Sequence, residues 1–491
     1  MKRALHYRVC AICTQTTDIG YMPDKLDKSN PALAHLQGSP ASRYDAGRSQ
    51  RESVPLEAHA ELAANADRAD PLAILAQQDN NRLPELIPLR YGRMSATPFT
   101  FLRGAAAVMA SDLAAGARTD LWAELCGDAH LGNFRWYHAP DRELVFDLND
   151  FDETLPGPFE WDVKRLAASV TVSARKNGFS GKKARDATRS AMCNYREFIA
   201  ETSELGPLDL YYYRFESAAA LEHIQSHGKK HRKWKEEILS KATRKNSLRA
   251  FDKLTDVVDG RRVIVPDPPR IVRVDEELAA AESGALLTFF ERYRETLPLD
   301  RRVLIDRFSL VDVARKVVGV GSVGTRCLIM LLEAGDGTPL FLQFKQAVPS
   351  VLESYLGASV FKQAGQRVVE GQRLIQATSD MLLGWADYQG EDGHPIDFYF
   401  RQLWDGKGKI EADELGPKRL AAFAGICGKT LAFAHARSGD AMMIRGYIGD
   451  DETFDDVMVE FADRYADCTE RDHARLNAAI NEGAIDVVRD I

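Results

Sequence analysis

Two short stretches between residues 121 and 152 constrain the fold of this chain more than any other part of its sequence. An apolar run, Leu121 to Cys126, leads into Asp128, and Asn133 follows that Asp after five positions. A second apolar run covers Leu144 to Leu148. Three acidic residues lie within or just after it: Asp147, Asp150 and Asp152. Short apolar runs bounded by turn residues are typical of buried strands, so the pattern predicts a strand–loop–strand unit with an acid, an amide and further carboxylates at one edge.

These side-chain types are the ones that phosphoryl transfer requires. One carboxylate orients the attacking hydroxyl, and an Asn and an Asp hold magnesium. We therefore predict that Asp128 is a catalytic residue and that Asn133 and one or more of Asp147, Asp150 and Asp152 act with it and bind the metal. Asp152 is a further candidate metal ligand, and its alternative role is a salt bridge with Arg165.

A glycine-rich stretch forms the second constellation. Val317 to Thr325 contains a Gly-x-Gly-x-x-Gly pattern between two β-type runs, which argues against the strand-to-helix setting of a dinucleotide site. Small residues allow backbone N–H groups to approach phosphates closely. The pattern predicts a flexible lid over nucleotide phosphates, with a simple tight turn as the alternative. The residues expected to form the lid are Gly319, Gly321, Ser322 and Gly324.

Lys345 is the predicted phosphate-binding lysine. It ends an apolar run that starts at Leu340, after a hairpin turn. A lysine in a half-buried strand needs a counter-charge, because desolvation disfavours its charged form. Glu370 on the following predicted helix is the first candidate for that partner, and Glu353 is the second. The alternative is that Lys345 is an exposed residue of an edge strand.

The two half-sites together predict one nucleotide cleft, although their order is the reverse of that in protein kinases. Circular permutation is tolerated where termini lie close together, so we predict an α+β, two-lobed, protein-kinase-like fold that is circularly permuted and carries extra helices. The expected parts are a flexible N-terminal arm (1–50), a helical C-lobe-like part with the catalytic loop (51–300), an N-lobe-like β-sheet with one helix (305–405), and a helical C-terminal part packing on the catalytic lobe (410–491).

Composition limits the other possibilities. The chain has 491 residues with 45% hydrophobic residues, which is ordinary for a globular protein with a buried core. The formal net charge of −8 argues against nucleic acid or an acidic membrane as a partner. The sequence has no secretory-signal pattern and no apolar run of about 18 residues, so we expect a cytoplasmic protein with no membrane contact.

Two family resemblances extend this interpretation. Cys126 to Asn133 resembles the His-Gly-Asp-x-His-x-x-Asn catalytic loop of aminoglycoside and choline phosphotransferases, with Cys126 in place of His. Asp150 to Asp152 resembles their metal-binding segment. Gly157 and Asp162 fall where those enzymes place a Gly and the start of a later helix. The resemblance therefore implies that Asp150, rather than Asp147, binds the metal with Asn133. The chain is also similar to the bacterial family called domain of unknown function 2252. The strings that carry this similarity include LRYGRM (89–94), FLRG (101–104), NDFDET (149–154), WDVKR (161–165), VGVGSVG (318–324) and GQRVVEGQ (365–372).

The resulting expectation is an ATP-dependent phosphotransferase that acts, with Mg²⁺, on a hydroxyl of a small molecule or protein. The first alternative on the same fold is transfer of a nucleotidyl (AMP) group. A catalytically silent nucleotide-binding module is the second. The third is a metal-dependent phosphoesterase in which Asp128, His130 and the later Asp cluster bind two metals.

Overall fold

The computed structural model describes residues 38–62, 68–214, 251, 254–273, 283–317, 319–390, 393–403 and 410–489. Most of the predicted N-terminal arm, residues 1–37, therefore lies outside the described residues. Within the described part the protein is a mixed α+β structure with small sheets. Among these residues we find no helix whose length and apolar character would allow it to cross a membrane.

Helices make up most of the described chain. In order they are α1 Pro40–Ser53, α2 Pro71–Asp79, α3 Ile87–Met94, α4 Pro98–Gly104, α5 Ala106–Ala114, α6 Glu160–Lys176, α7 Gly181–Ser203, α8 Pro207–Tyr212, α9 Ser283–Glu295, α10 Leu299–Ile305, α11 Glu353–Leu356, α12 Ala364–Ile375, α13 Pro417–Ser438, α14 Ala441–Ile448 and α15 Thr453–Asn481. The strands are β1 Trp122–Leu125, β2 Phe134–His138, β3 Leu144–Leu148, β4 Leu155–Pro158, β5 Thr255–Val258, β6 Arg261–Ile264, β7 Ile271–Arg273, β8 Phe308–Lys316, β9 Cys327–Ala334, β10 Pro339–Gln346, β11 Gly384–Gln389 and β12 Pro395–Gln402.

Six strands form one antiparallel sheet in the order β11-β12-β10-β9-β8-β7. The β9–β10 hairpin turns at an Asp-Gly pair, where the Asp336 carboxylate accepts the N–H of Thr338 at 3.0 Å. β10 is a central strand, so Lys345 does not lie at an edge and is only 2% exposed. The sheet also takes in β7, so it starts before the predicted boundary at residue 305.

Aromatic packing fixes one face of this sheet. The ring of Tyr293 on α9 stacks on Phe400 of β12 with centroids 4.0 Å apart, and Phe289 of the same helix packs against Phe344. α9 therefore belongs with the sheet and not with the catalytic-loop part, because its apolar side covers residues that would otherwise face water.

The main hydrophobic core lies under the catalytic-loop segment. The buried helix α6 runs through it and packs against α7, α13 and α15. Its side chains from Glu160 to Ala174 are all buried, including Asp162 and Arg165. A helix buried on all sides with charged residues inside it must satisfy those charges within the protein, and this requirement brings α6 into the candidate site.

The predicted flexible arm is folded from residue 40 onward, which corrects the boundary at residue 50. Ser39 caps α1 by accepting the N–H of Ser42, and Pro40 occupies the first turn. The helix docks on the C-terminal part of the chain. Arg51 donates to the carbonyl oxygen of Tyr447 at 2.5 Å, and Arg43 pairs with Asp440 at 3.1 Å.

Candidate functional site

Two pairs of short strands bring the predicted catalytic and metal-binding loops together. β1 pairs with β4 and β2 pairs with β3, so Leu125 lies opposite Leu155 and Phe134 lies opposite Leu148. The loop after β1 leads into β2, and the loop after β3 leads into β4, so the two loops connect the same two strand pairs and lie side by side. The backbone N–H of Asn149 bonds to the carbonyl oxygen of Asn133 at 2.9 Å, which ties the two loops directly.

Asp162, in the first turn of α6, supports the start of the catalytic loop. Its carboxylate accepts the backbone N–H groups of Cys126 at 2.7 Å and Gly127 at 3.0 Å. Gly127 has φ +78°, and a Cβ at this position would lie 2.2 Å from the carbonyl oxygen of Glu153, so only glycine fits. The sequence did not assign this role to Asp162, although an acid early in the helix after the motif was a visible signal.

Asp128 is held by a buried arginine. Arg165 Nε lies 2.8 Å from Asp128 Oδ1, and its NH2 lies 2.7 Å from the same oxygen. Burial raises the pKa of Asp128 to about 6, against the opposing attraction of Arg165. The alternative salt bridge between Asp152 and Arg165 is therefore wrong. Arg165 lies about one turn after Asp162 on α6, the helix that supports the catalytic loop. Its side chain therefore lies beside Asp128 in that loop and not beside Asp152.

Asn133 and Asp150 offer oxygen atoms to the cleft. Asn133 Nδ2 donates to the backbone oxygen of Asp128 at 2.7 Å, which orients its amide. Asp150 Oδ1 is buried and accepts no hydrogen bond from any described residue. A buried carboxylate oxygen without a partner is costly, and a hard cation is a ligand that would satisfy it. In the described ranges no group of three or more His, Cys, Asp or Glu side chains is arranged to hold a metal.

Lys345 reaches across to the loop after β3. Its ammonium group donates to the carboxylate of Asp152 and to Ser322 Oγ, the latter at 2.8 Å. The hydroxyl of Tyr399 donates to the second Asp152 oxygen at 2.9 Å. Burial alone would lower the pKa of Lys345, but the Asp152 carboxylate raises it above the ordinary value. Both oxygens of Asp152 therefore already have partners, unlike Asp150 Oδ1.

The predicted pairing of Lys345 with a glutamate is not formed. Glu370 accepts from Arg373, three residues later on α12, at 3.1 Å. Glu353 lies 3.6 Å from the buried Arg367. Each glutamate has a nearer arginine, and the pairing of β10 with β12 instead turns Lys345 toward Asp152.

The glycine-rich stretch covers the cleft but is held in place by preceding helices. Arg93 donates to the carbonyl oxygen of Gly319 at 2.7 Å, and Arg82 donates to that of Val323. Gly324 has φ +97° and turns toward Arg82, whose Cβ would lie 2.9 Å from an added Cβ. Its carbonyl oxygen accepts the N–H of Leu83 at 2.8 Å. The stretch is thus tethered at both ends, in contrast to the free lid that the sequence predicts.

One cleft of about 350 Å³ gathers these parts. The first half-site contributes Asp128, Asn133, Asp150 and Asp152 to its lining, and the glycine-rich stretch contributes Gly319, Gly321 and Ser322. Lys345, Gly324 and Glu370 are not among the residues that line the cleft, but Lys345 bonds to two residues that do, Asp152 and Ser322. Segments far apart in the sequence therefore face the same cavity.

Asp147 lies apart from this cleft. Its side chain is 5% exposed and accepts the backbone N–H of Leu148 at 2.8 Å. Burial raises its pKa to about 7. This local role agrees with the preference for Asp150 over Asp147 as the candidate ligand.

Comparison with known proteins gives a family but no function. A family model described as "Uncharacterized protein conserved in bacteria (DUF2252)" matches residues 82–479. No curated protein and no solved structure matches the chain. The match contains the catalytic loop, the Asp-rich loop and the glycine-rich stretch, so all the cleft-lining residues named above lie within it.

Proposed function

We propose that this protein, which belongs to the family of uncharacterised bacterial proteins DUF2252, is an ATP-dependent phosphotransferase that uses Mg²⁺ and acts on a hydroxyl group. The observation that carries the proposal is the contact of Lys345 with Asp152 and Ser322. It joins the end of a sheet strand to a loop 193 residues away in the sequence and to the glycine-rich stretch. A lysine, a glycine-rich stretch and carboxylates that could hold Mg²⁺, all at one cleft, are the groups that bind a triphosphate in kinases.

In this proposal Asp128 orients the acceptor hydroxyl. Its pKa of about 6 leaves it ionised at neutral pH, yet close enough to accept a proton as the hydroxyl reacts. Arg165 fixes the position of one carboxylate oxygen, Oδ1, and the other, Oδ2, lies 3.6 Å from His130 Nε2. Asp162 holds the loop itself, so it is a positioning residue in this scheme.

Asn133 and Asp150 would hold the magnesium ion. The unpartnered, buried Asp150 Oδ1 and the oriented amide of Asn133 fit a cation that prefers oxygen ligands and completes its shell with water and phosphate oxygens. When bound, Mg²⁺ would neutralise charge on the phosphate chain. Lys345, Ser322 and the backbone of Gly319 and Gly321 would contact the remaining phosphate oxygens.

The order of the sheet elements supports a kinase-like architecture. In protein kinases a glycine-rich loop precedes a strand with the phosphate-binding lysine, and a helix follows. Here the loop joins β8 to β9, Lys345 lies on β10, and α12 comes next. The catalytic-loop half precedes all of these elements, so we propose that the fold is a circular permutation.

The test is isothermal titration of the full chain with ATP and GTP, with and without MgCl₂. We expect binding that depends on Mg²⁺ and that weakens about tenfold or more in Lys345→Met, because a charged hydrogen-bond donor to phosphate is lost. Lys418→Met, which removes an exposed lysine on α13, is the matched control and leaves affinity unchanged. If neither nucleotide binds in the presence of Mg²⁺, the proposal is wrong.

A further inference from the structure

Two arginines of the cleft have no acidic partner. Arg103, in the last turn of α4, and Arg135, on β2, both line the cavity. Neither forms an ion pair with any described residue. Four carboxylates line the cleft, and each has another role. Asp128 pairs with Arg165, Asp152 pairs with Lys345, Glu153 accepts the backbone N–H of Val351 at 2.8 Å, and Asp150 is the candidate metal ligand.

Arg103 has one guanidinium nitrogen that is buried without a partner. Its Nε is buried and has no hydrogen-bond partner within the described ranges. Burial lowers the pKa of its guanidinium, although the carboxylates of Asp128, Glu411, Asp150 and Asp413 attract it from beyond ion-pair distance. A charge removed from water without a close partner is costly, so the site gains free energy when an anion enters.

Arg135 faces the same part of the cleft. Its Nε donates to the carbonyl oxygen of Gly132 at 3.2 Å, which is a neutral acceptor. The Nε of Arg103 lies 3.6 Å from the position that a Cβ on Gly132 would take. Both guanidinium groups therefore meet over the catalytic loop. Burial together with these arginines and Arg165 keeps the pKa of His130 well below its ordinary value, so His130 remains uncharged.

We propose that Arg103 and Arg135 form an anion subsite and that the phosphoryl acceptor is a small hydroxyl compound carrying a phosphate or carboxylate group. This inference rests on the proposed function. The subsite adjoins Gly132 and Asp128, where the acceptor hydroxyl would lie, whereas the donor phosphates would lie beside Ser322 and Lys345. A planar guanidinium binds a phosphate or carboxylate through two parallel hydrogen bonds. A cleft of about 350 Å³ also suits a small compound.

The experiment measures binding of inorganic phosphate and of acetate to the full chain, with Mg²⁺ and a non-hydrolysable ATP analogue already bound. We expect one of the two anions to bind beside the nucleotide, and its identity distinguishes a phosphate-bearing from a carboxylate-bearing acceptor. Arg103→Gln should weaken that binding about tenfold or more, while Arg103→Lys should weaken it less. Arg135→Gln is a second variant on a half-buried strand residue. Arg475→Gln, at a half-exposed surface arginine, should have no effect.

Three results would overturn the inference: neither anion binds, the nucleotide analogue displaces the anion, or the anion affinity is the same in Arg103→Gln, Arg135→Gln and the wild type. Displacement would mean that the arginines contact the phosphates of the nucleotide itself. A different pattern identifies failure of the proposed function alone. In that case no nucleotide binds, yet phosphate added without nucleotide still binds in a manner that depends on Arg103.

Discussion

Asp162 is the single residue on which the geometry of the catalytic loop depends most. It is 1% exposed and accepts two backbone N–H groups. In Asp162→Asn one carboxylate oxygen is replaced by an amide NH2 group, which cannot accept a hydrogen bond, so one backbone N–H loses its partner. We expect a loss of about 1–3 kcal/mol in the free energy of unfolding, measured by denaturant titration. Asp467→Asn, at an exposed acid on α15, is the control and should change stability little. Equal stability of the two variants would contradict this role.

The raised pKa of Asp147 leads us to expect that the free energy of unfolding depends on pH. Its pKa rises from the ordinary 3.8 to about 7 in the folded protein, so ionisation of Asp147 costs more in the folded state than in the unfolded state. Its contribution to stability is therefore greatest below pH 4 and is lost as the pH rises from about 4 to about 7, by up to about 4 kcal/mol. Asp147→Asn keeps an acceptor for Leu148 N–H but does not titrate.

The corresponding measurement is the unfolding free energy of Asp147→Asn relative to the wild type at pH 5 and pH 8. The stability of the variant relative to the wild type should rise between these two pH values, because only the wild type loses the contribution of Asp147 over that range. A difference between the two proteins that does not change with pH would show that Asp147 titrates normally.

The sequence did not allow us to predict which residues form ion pairs with each other in the site. The types of residue at 128, 133 and 150 follow from local motifs, and the structure brings all three to one cleft. The partner of Lys345 has no such local signal, since Asp152 is 193 residues away. Which of several acids meets a lysine depends on strand register and on competing arginines, as at Glu370. The same holds for Arg165, which pairs with Asp128.

Among the elements, the glycine-rich stretch depends on helices that the sequence does not connect with it. Arg93 of α3 donates to the carbonyl oxygen of Gly319 at 2.7 Å. Arg93→Gln shortens and neutralises that side chain, so we expect faster amide hydrogen exchange in residues 319–325, because the stretch opens more often. Arg307→Gln, at an exposed residue before β8, is the control. Exchange rates that match the wild type in Arg93→Gln would show that this tether does not restrain the stretch.

The strands of the sheet were easier to predict than its limits. The apolar run from Leu340 to Lys345 and the Asp-Gly turn before it give β10 and its hairpin, because a continuous apolar run and turn chemistry are local signals. The three-residue strand β7 has no such signal and is defined by pairing with β8. Helix α1 likewise has a Ser cap and a Pro start, but its docking on α14 decides that it is folded.

At the scale of the whole molecule, the account depends on two distant parts of the chain sharing one cleft. The mixed α+β class was predicted from the two motif-bearing half-sites, and the described chain is a mixed α+β structure with small sheets. A permuted kinase-like arrangement was inferred from the order of two motifs, and it remains a proposal. Long-range contacts support this proposal. Lys345 bonds to Ser322 and Arg93 bonds to Gly319, and these contacts hold the glycine-rich stretch over the Asp-rich loop.

The most direct test of this account is a crystal structure with Mg²⁺ and a non-hydrolysable ATP analogue bound. The account predicts the phosphates between the backbone of Gly319–Ser322 and the loop of Asp128, with the metal at about 2.0–2.1 Å from oxygens of Asn133 and Asp150. Triphosphate bound elsewhere, or a metal that contacts neither Asn133 nor Asp150, would contradict it.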